Sequence, residues 1–162
     1  GDIHRGTTSG SFTTLTTGLG TSTRAYDFEK FNFNGTDKLV IATGHSAAQI
    51  INSSFAVDVV NATGGGTAPT APKFVASFKN HMFYAGMSDA ISTIQYSGPF
   101  TEDDFDTGGG TIIVGDVITG LKVFRDELFV FCKTAIFKIT KSKFVILNIC
   151  QRHACVGACT HC

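Results

Sequence analysis

Two related segments indicate the fold of this chain: Phe78-Lys79-Asn80-His81-Met82-Phe83-Tyr84 and Phe124-Arg125-Asp126-Glu127-Leu128-Phe129-Val130. Both contain a Phe, a basic residue, Asn or Asp, a polar residue and three apolar residues, in that order. A looser third copy begins at Phe33. The three leading Phe residues are therefore spaced at nearly constant intervals of about 45 residues, a period typical of repeat architectures such as propellers.

Each copy predicts a β-hairpin, because apolar segments lie on both sides of a short polar pair. Lys79-Asn80 and Arg125-Asp126 supply the turns, since Asn and Asp tolerate the left-handed backbone conformation. In the third copy we expect a longer turn, Asn34-Gly35-Thr36-Asp37-Lys38, followed by a strand at Leu39-Val40-Ile41-Ala42.

Four strands are predicted within one repeat: Phe74 to Phe78, Met82 to Gly86, Ile91 to Ser97 and Thr111 to Val114. Four strands in about 45 residues are typical of one propeller blade. The sequence therefore predicts an all-β, β-propeller-like fold with roughly three blades, an incomplete propeller. Since about four to eight blades are needed to close a ring, we expect neighbouring chains or further residues to complete the surface.

The domain organisation follows from this repeat. Residues 1–149 are predicted to form the β-propeller-like repeat domain and residues 150–162 a Cys-rich C-terminal tail. Gly64 to Pro72, with its Gly and Pro residues, is expected to connect two blades rather than two domains. Because the sequence begins with Gly1 rather than Met, we expect it to be processed or part of a longer protein.

Composition and charge support strands and exclude several functions. The 162 residues include 15 Phe, 18 Gly and no Trp, and only 16% are charged, which disfavours long amphipathic helices. Thirteen basic residues balance thirteen acidic ones, so no net field favours nucleic acid or an anionic membrane. No apolar run is long enough to cross a membrane, and no signal peptide is recognised, which predicts a soluble chain.

From about Tyr26 to Thr140 the sequence resembles the β-propeller-like virion proteins of tailed bacteriophages, of the tail nozzle or tail tubular type. The resemblance is carried by Pro72 to Gly86, by Val114-Gly115-Asp116-Val117-Ile118-Thr119-Gly120-Leu121 with the Phe124 motif after it, and by Ala135 to Thr140. The sequence departs from this pattern after Ser142.

The resemblance implies a structural component of a phage tail or head-to-tail connector. Such a protein forms an oligomeric ring with copies of itself, contacts other tail or connector proteins and lets DNA pass, with non-specific DNA contact at most. It implies a location in the virion tail after assembly in the host cytoplasm, with no membrane partner. No catalytic residue and no cofactor come with it, so we predict that the chain is not an enzyme. The alternative is a receptor- or glycan-binding module at the tail tip, with loops such as Glu102 to Gly108 contacting the host.

The cysteines are concentrated at the end of the chain. Four of the five, Cys150, Cys155, Cys159 and Cys162, could supply the four ligands of a tetrahedral zinc site. Their spacing lacks paired C-x2-C knuckles, so no metal site is assigned, and disulfides or an unstructured terminus remain open. Cys132, within a Phe-rich strand, is predicted to be a small buried hydrophobic residue.

Two other motifs could carry chemistry, and both have a simpler explanation. Ser46 follows a strand as in the nucleophile elbow of a hydrolase, but Ala48 replaces the last Gly of that motif and no helix is predicted after it. The acidic segment Glu102 to Gly108 has oxygen ligands suited to a cation but does not match a calcium loop. We expect a strand-to-turn junction at the first and a solvated loop at the second.

Overall fold

The structure, a computed structural model, describes residues 1–20, 25–140 and 146–151. Across these residues the chain forms strands and turns, and no helix. The strands are β1 Ile3–Gly6, β2 Phe12–Thr16, β3 Asp27–Phe33, β4 Thr36–Ala42, β5 Gln49–Asn52, β6 Val57–Val59, β7 Phe74–Phe78, β8 His81–Ala85, β9 Thr93–Tyr96, β10 Gly110–Ile113, β11 Ile118–Phe124, β12 Glu127–Cys132, β13 Ala135–Ile139 and β14 Ile146–Gln151.

The strands pair into three four-stranded sheets and one hairpin. The first sheet is β3–β6, the second β7–β10, the third β11–β14, and β1–β2 form the N-terminal hairpin. Within each sheet the strands follow in chain order and every pair is antiparallel. The predicted all-β fold is confirmed. The four strands predicted between Phe74 and Val114 are present, with ends shifted by at most two residues.

A two-residue turn joins the first two strands of every sheet. The turn residues all have positive φ: Asn34 and Gly35 (55° and 80°), Lys79 and Asn80 (51° and 65°), Arg125 and Asp126 (48° and 62°). Positive φ at both central residues defines the type I′ turn, whose twist matches that of the two strands it connects. The predicted turn positions of Lys79-Asn80 and Arg125-Asp126 are confirmed.

The longer turn predicted in the first hairpin is wrong. Phe33 pairs directly with Thr36, so the turn contains only Asn34 and Gly35, and Thr36, Asp37 and Lys38 belong to β4. Polar residues normally indicate a loop, but here Asp37 has a partner in its own sheet and Lys38 has one in the second sheet's loop. Asn32 Nδ2 donates to Asp37 Oδ1 at 2.8 Å, and Lys38 pairs with Glu102 of the second sheet's loop. The third copy of the motif is therefore as regular as the other two.

The second sheet lies between the first and the third, and its two faces contribute to two separate cores. Val75, Met82 and Tyr84 pack against the first sheet. Phe78, Phe83 and Ile94 pack against the third. Burial of each such side chain contributes roughly 2 kcal/mol, so the second sheet holds the stack together. Strand β7 contacts β3 on one side and β11 on the other, which aligns the first strands of the three sheets.

The segment between β6 and β7 packs closely on the second sheet's β9–β10 loop. Phe105 N donates to Gly65 O at 3.0 Å. A Cβ atom on Gly66 would lie 2.7 Å from the carbonyl carbon of Phe105, and Gly66 has a φ of +79°, so only glycine fits there. This connection is consequently part of the packed structure.

Strand β14 pairs with β13 as far as Gln151, opposite Ala135. The predicted domain boundary after residue 149 falls within this strand. Residues 152–162 of the predicted tail lie outside the described residues.

Candidate assembly faces and inter-sheet cleft

The three sheets repeat the same division of side chains between two faces. We call the face that a sheet turns toward the next sheet along the chain its trailing face, and the opposite face its leading face. In the third sheet, Leu121 and Leu128 belong to the core shared with the second sheet, so they are on the leading face. Because side chains alternate along a strand, their neighbours Lys122 and Phe129 are on the trailing face.

The trailing face of the third sheet consists of two rows and a hairpin end. Gly120, Phe131 and Ile136 form one row, Lys122, Phe129 and Lys138 the second, and Phe124 and Glu127 the end, as the strand register places them. Phe124 is 59% exposed, and its ring centre lies 6.5 Å from that of Phe129. Lys138 Nζ lies 2.9 Å from Glu127 Oε1. Large apolar side chains on an unpaired face are typical of an interaction surface.

The leading face of the first sheet is exposed along β3 but covered toward β5, where Ile41, Gln49 and Ile51 are buried. Its rows are Phe28, Ile41 and Gln49, then Lys30, Leu39 and Ile51, then Asn32 and Asp37. Phe28 is 67% exposed, and Leu39, Ile51 and Phe55 line a groove of about 240 Å³. The N-terminal hairpin reaches its edge, where the Arg5 guanidinium lies 4.3 Å from the centre of the Phe55 ring.

Asp37 carries the negative charge of this leading face. The hydrogen bond from Asn32, together with the hydrogen bond and charge of Lys30, lowers the pKa of the Asp37 carboxyl below its usual value. Lys30 Nζ lies 3.3 Å from Asp37 Oδ2. The carboxylate therefore stays ionised at neutral pH beside an exposed ammonium group.

A cleft of about 520 Å³ separates the outer part of the first sheet from the second sheet's β9–β10 loop. Most of the side chains that line it are polar. One side is formed by the β5–β6 region and the other by the β9–β10 loop. The lining residues are Lys38, Ile50, Asn52, Ala56, Val57, Asp58, Thr63, Phe100, Thr101, Glu102 and Asp103. Lys38 forms an ion pair with Glu102, and Thr63 donates a hydrogen bond to Asp103. The half-exposed ring of Phe100 stands at its edge.

Tyr84 anchors the β9–β10 loop that forms one side of this cleft. Its hydroxyl donates to the backbone oxygen of Glu102 at 2.7 Å. Burial raises the pKa of the Tyr84 phenol well above its usual value, and the carboxylates of Glu102 and Asp103 add to that effect. The phenol therefore remains a proton donor and holds the loop against the core.

Two carboxylates connect the first strands of the first two sheets. Asp27 Oδ2 accepts a hydrogen bond from Val75 N at 3.0 Å, and Glu29 Oε1 accepts from Ser77 Oγ at 2.7 Å and from Ser77 N at 3.3 Å. A cavity of about 150 Å³ lies among β3, β7 and β11, and Lys122 of β11 is one of the residues that line it. These bonds satisfy N–H groups on the edge of β7, which leaves fewer free donors there.

The acidic segment Glu102 to Gly108 does not converge on one point. Glu102 faces Lys38, Asp103 faces Thr63, and Asp104 Oδ1 accepts from the backbone N–H of Asp106 at 3.0 Å, as in an Asx turn. Within the part of the chain that the structure describes, no group of three His, Cys, Asp or Glu side chains is placed to hold a metal ion.

Of the four candidate metal ligands, Cys150 lies in β14, where it pairs in register with Ile136. Cys155, Cys159 and Cys162 lie outside the described residues. Cys132 is only partly buried, beside the core of the second and third sheets, and burial, followed by the charge of Asp116, raises its pKa to about 11.

Ser46 lies in a turn capped by Thr43. The Ser46 and Thr43 hydroxyl oxygens are 3.1 Å apart, and Thr43 Oγ1 also accepts the backbone N–H groups of His45 and Ser46. The hydroxyl of Ser46 is thus engaged with its own turn, as a strand-to-turn junction requires.

Two histidines, His4 and His81, have separate hydrogen-bond partners. His4 bonds Thr14, and His81 bonds the backbone oxygen of Ser97.

The sequence alone does not reveal the ion pair of Lys38 with Glu102 or the hydrogen bonds from Val75 and Ser77 to Asp27 and Glu29. The ion pair joins residues 64 positions apart, and no local pattern links them. In β3, acidic and aromatic residues alternate in Asp27-Phe28-Glu29, which indicates that both carboxylates lie on the same face of the strand. The pattern does not indicate which strand they contact.

Among the described residues, no helix has the length and apolar character needed to cross a membrane. No protein-family model matches the sequence, and no match is found among curated proteins, so the resemblance to phage tail proteins stays a prediction from its motifs.

Proposed function

We propose that this chain is a non-enzymatic structural component of a tailed-phage tail or head-to-tail connector. In this proposal it assembles with copies of itself and with other tail proteins into a ring around the path of the DNA. The virion location rests on the motif resemblance around Phe78 and Phe124. The structural role rests on the stack of sheets, whose polar groups mainly connect one element of the fold to another.

In the same proposal, the three sheets are blades of an incomplete β-propeller. Three features support this. Each sheet has four antiparallel strands in chain order. The first strands β3, β7 and β11 lie together, as inner strands do around a propeller axis. A small cavity separates these inner strands.

The observation that carries the assembly role is the open trailing face of the third sheet. In the first and second sheets, the face that corresponds to it is covered by the following sheet. In the third sheet it presents Phe124 and Phe131 to solvent. Exposed aromatic rings at positions that are otherwise buried indicate a surface that another sheet covers.

The test is the composition of purified virions. An antibody against this chain should label tails in negative-stain images, and the protein should be present in multiple copies per particle by quantitative mass spectrometry. Labelling confined to host membranes, or absence of the protein from purified particles, would contradict the proposal.

The cleft between the first two sheets favours a second function, binding of a neutral glycan on a host surface. It offers amide, hydroxyl and carboxylate groups and the exposed Phe100 ring, the combination with which proteins orient sugars. Free protein should then block adsorption of the phage, and neutral oligosaccharides should shift the NMR signals of Asn52 and Thr101. Phe100→Ala should abolish those shifts and Phe12→Ala should not; unchanged spectra on addition of sugar would exclude this function.

A further inference from the structure

Every contact between successive sheets has the same polarity. The trailing face of the first sheet, with Phe31 and Val40, packs on the leading face of the second, with Val75 and Tyr84. The trailing face of the second then packs on the leading face of the third. Trailing face on leading face is therefore the packing rule within this chain.

Among the described residues, no four-stranded sheet follows the third sheet, and none precedes the first. The trailing face of the third sheet and the leading face of the first are therefore the two end faces of the stack. Each presents a strongly exposed aromatic ring on a strand, Phe124 on the former and Phe28 on the latter. The row next to each ring combines an apolar side chain with lysine: Phe129 lies between Lys122 and Lys138 on one face, and Leu39 lies beside Lys30 on the other.

Charges on the two faces are of both signs. The trailing face carries Lys122 and the Lys138–Glu127 pair, and the leading face carries the Lys30–Asp37 pair. An ionised Asp37 on one copy can face a lysine on the other, and Glu127 can face Lys30. Two trailing faces packed on each other would instead bring Lys122 and Lys138 of both copies into one interface, which like-charge repulsion disfavours.

We propose that the trailing face of the third sheet binds the leading face of the first sheet of a second copy, so that copies stack head to tail and continue the packing rule of the single chain. This inference rests on the proposed assembly function and names the partner and polarity of that contact. Head-to-tail contacts form rings when the rotation between copies closes and open filaments when it does not.

The test blocks one face at a time in the full chain. Phe124→Asp blocks the trailing face and Phe28→Asp the leading face, and Ile113→Asp is the matched control, because Ile113 is 72% exposed on β10 and belongs to neither end face. Far-UV circular dichroism and thermal unfolding first establish that all three variants are folded. Sedimentation velocity over a concentration series then measures self-association of each variant and of an equimolar mixture of the two blocked variants.

We expect the unmodified chain and Ile113→Asp to form oligomers beyond dimers. Each blocked variant alone should associate at least about 30-fold more weakly, because a buried Phe is lost and a carboxylate is added. The mixture should form dimers and nothing larger, since one intact trailing face and one intact leading face remain between the two variants.

Three results would overturn the inference. The first is an unmodified chain that is monomeric at the highest concentration, and the second is a mixture of the two variants that stays monomeric. The third is a Phe28→Asp variant that alone associates as strongly as the unmodified chain, which would indicate contact between two trailing faces. These outcomes are separable from failure of the proposed function, because presence or absence in virions is measured independently of self-association in solution.

Discussion

Removing Lys38 tests how the first two sheets are joined. The side chains of Lys38 and Glu102 are only 30% and 10% exposed, so Lys38→Met leaves a carboxylate largely removed from water without its cation. Breaking a fully buried ion pair costs about 3 to 5 kcal/mol, and the remaining exposure of Lys38 reduces our expectation to about 2 kcal/mol of unfolding free energy. For a domain of this size that corresponds to a decrease in Tm of roughly 6 °C.

The assay is urea unfolding followed by far-UV circular dichroism, with a matched surface pair as control. Lys30 and Asp37 are 72% and 52% exposed, so Lys30→Met should change the unfolding free energy by less than about 0.5 kcal/mol. The double variant Lys38→Met/Glu102→Gln should recover at least half of the lost stability, because no buried charge is left. Equal effects of Lys38→Met and Lys30→Met, or no recovery in the double variant, would refute this reasoning.

Three further predictions concern the turn, the core and alkaline pH. Arg125→Gly should raise stability by about 0.5 to 1 kcal/mol in urea unfolding, because Arg125 has a φ of 48° that glycine adopts without strain; a loss of stability would contradict this. Phe83→Ala should lower the free energy of unfolding by about 3 to 5 kcal/mol, because the ring is fully buried. Phe12→Ala removes an exposed ring and should change that free energy by less than about 0.5 kcal/mol. Similar losses in the two variants would contradict the core assignment. The pKa of Tyr84 is raised on folding, so its contribution to stability is complete below about pH 10 and is lost as the pH rises from there toward the folded-state pKa. Tyr84→Phe should therefore flatten the fall in Tm above about pH 10, after allowance for Cys132, whose pKa is raised to about 11. An unchanged slope would contradict this.

The sequence was sufficient to predict the strands of the second sheet and the turns at Asn80 and Asp126, because both depend on local chemistry. Asn80 and Asp126 identify turns through their tolerance of positive φ, and the period-2 pattern of Thr93 to Tyr96 identifies a strand. The prediction was wrong at Thr36, Asp37 and Lys38, where polar residues are held in a strand by partners across the sheet and in the next sheet. Such partners are tertiary information, which local propensity does not contain.

The faces and the cleft were harder to predict for the same reason. Alternation in β11 and β12 separates Leu121 and Leu128 from Lys122 and Phe129, but it does not say which face is covered. That distinction needs the order in which the sheets stack. The cleft depends on contact between β4 and a loop about 60 residues later, and no spacing rule anticipates that contact.

Lysine cross-linking of an equimolar mixture of ¹⁴N- and ¹⁵N-labelled chains, read by mass spectrometry, shows directly whether the trailing face of one copy packs on the leading face of another. We expect mixed-isotope links between Lys122 of one copy and Lys30 of another. Mixed links that join only Lys122 to Lys122, or the absence of mixed links at concentrations where the protein self-associates, would contradict this expectation.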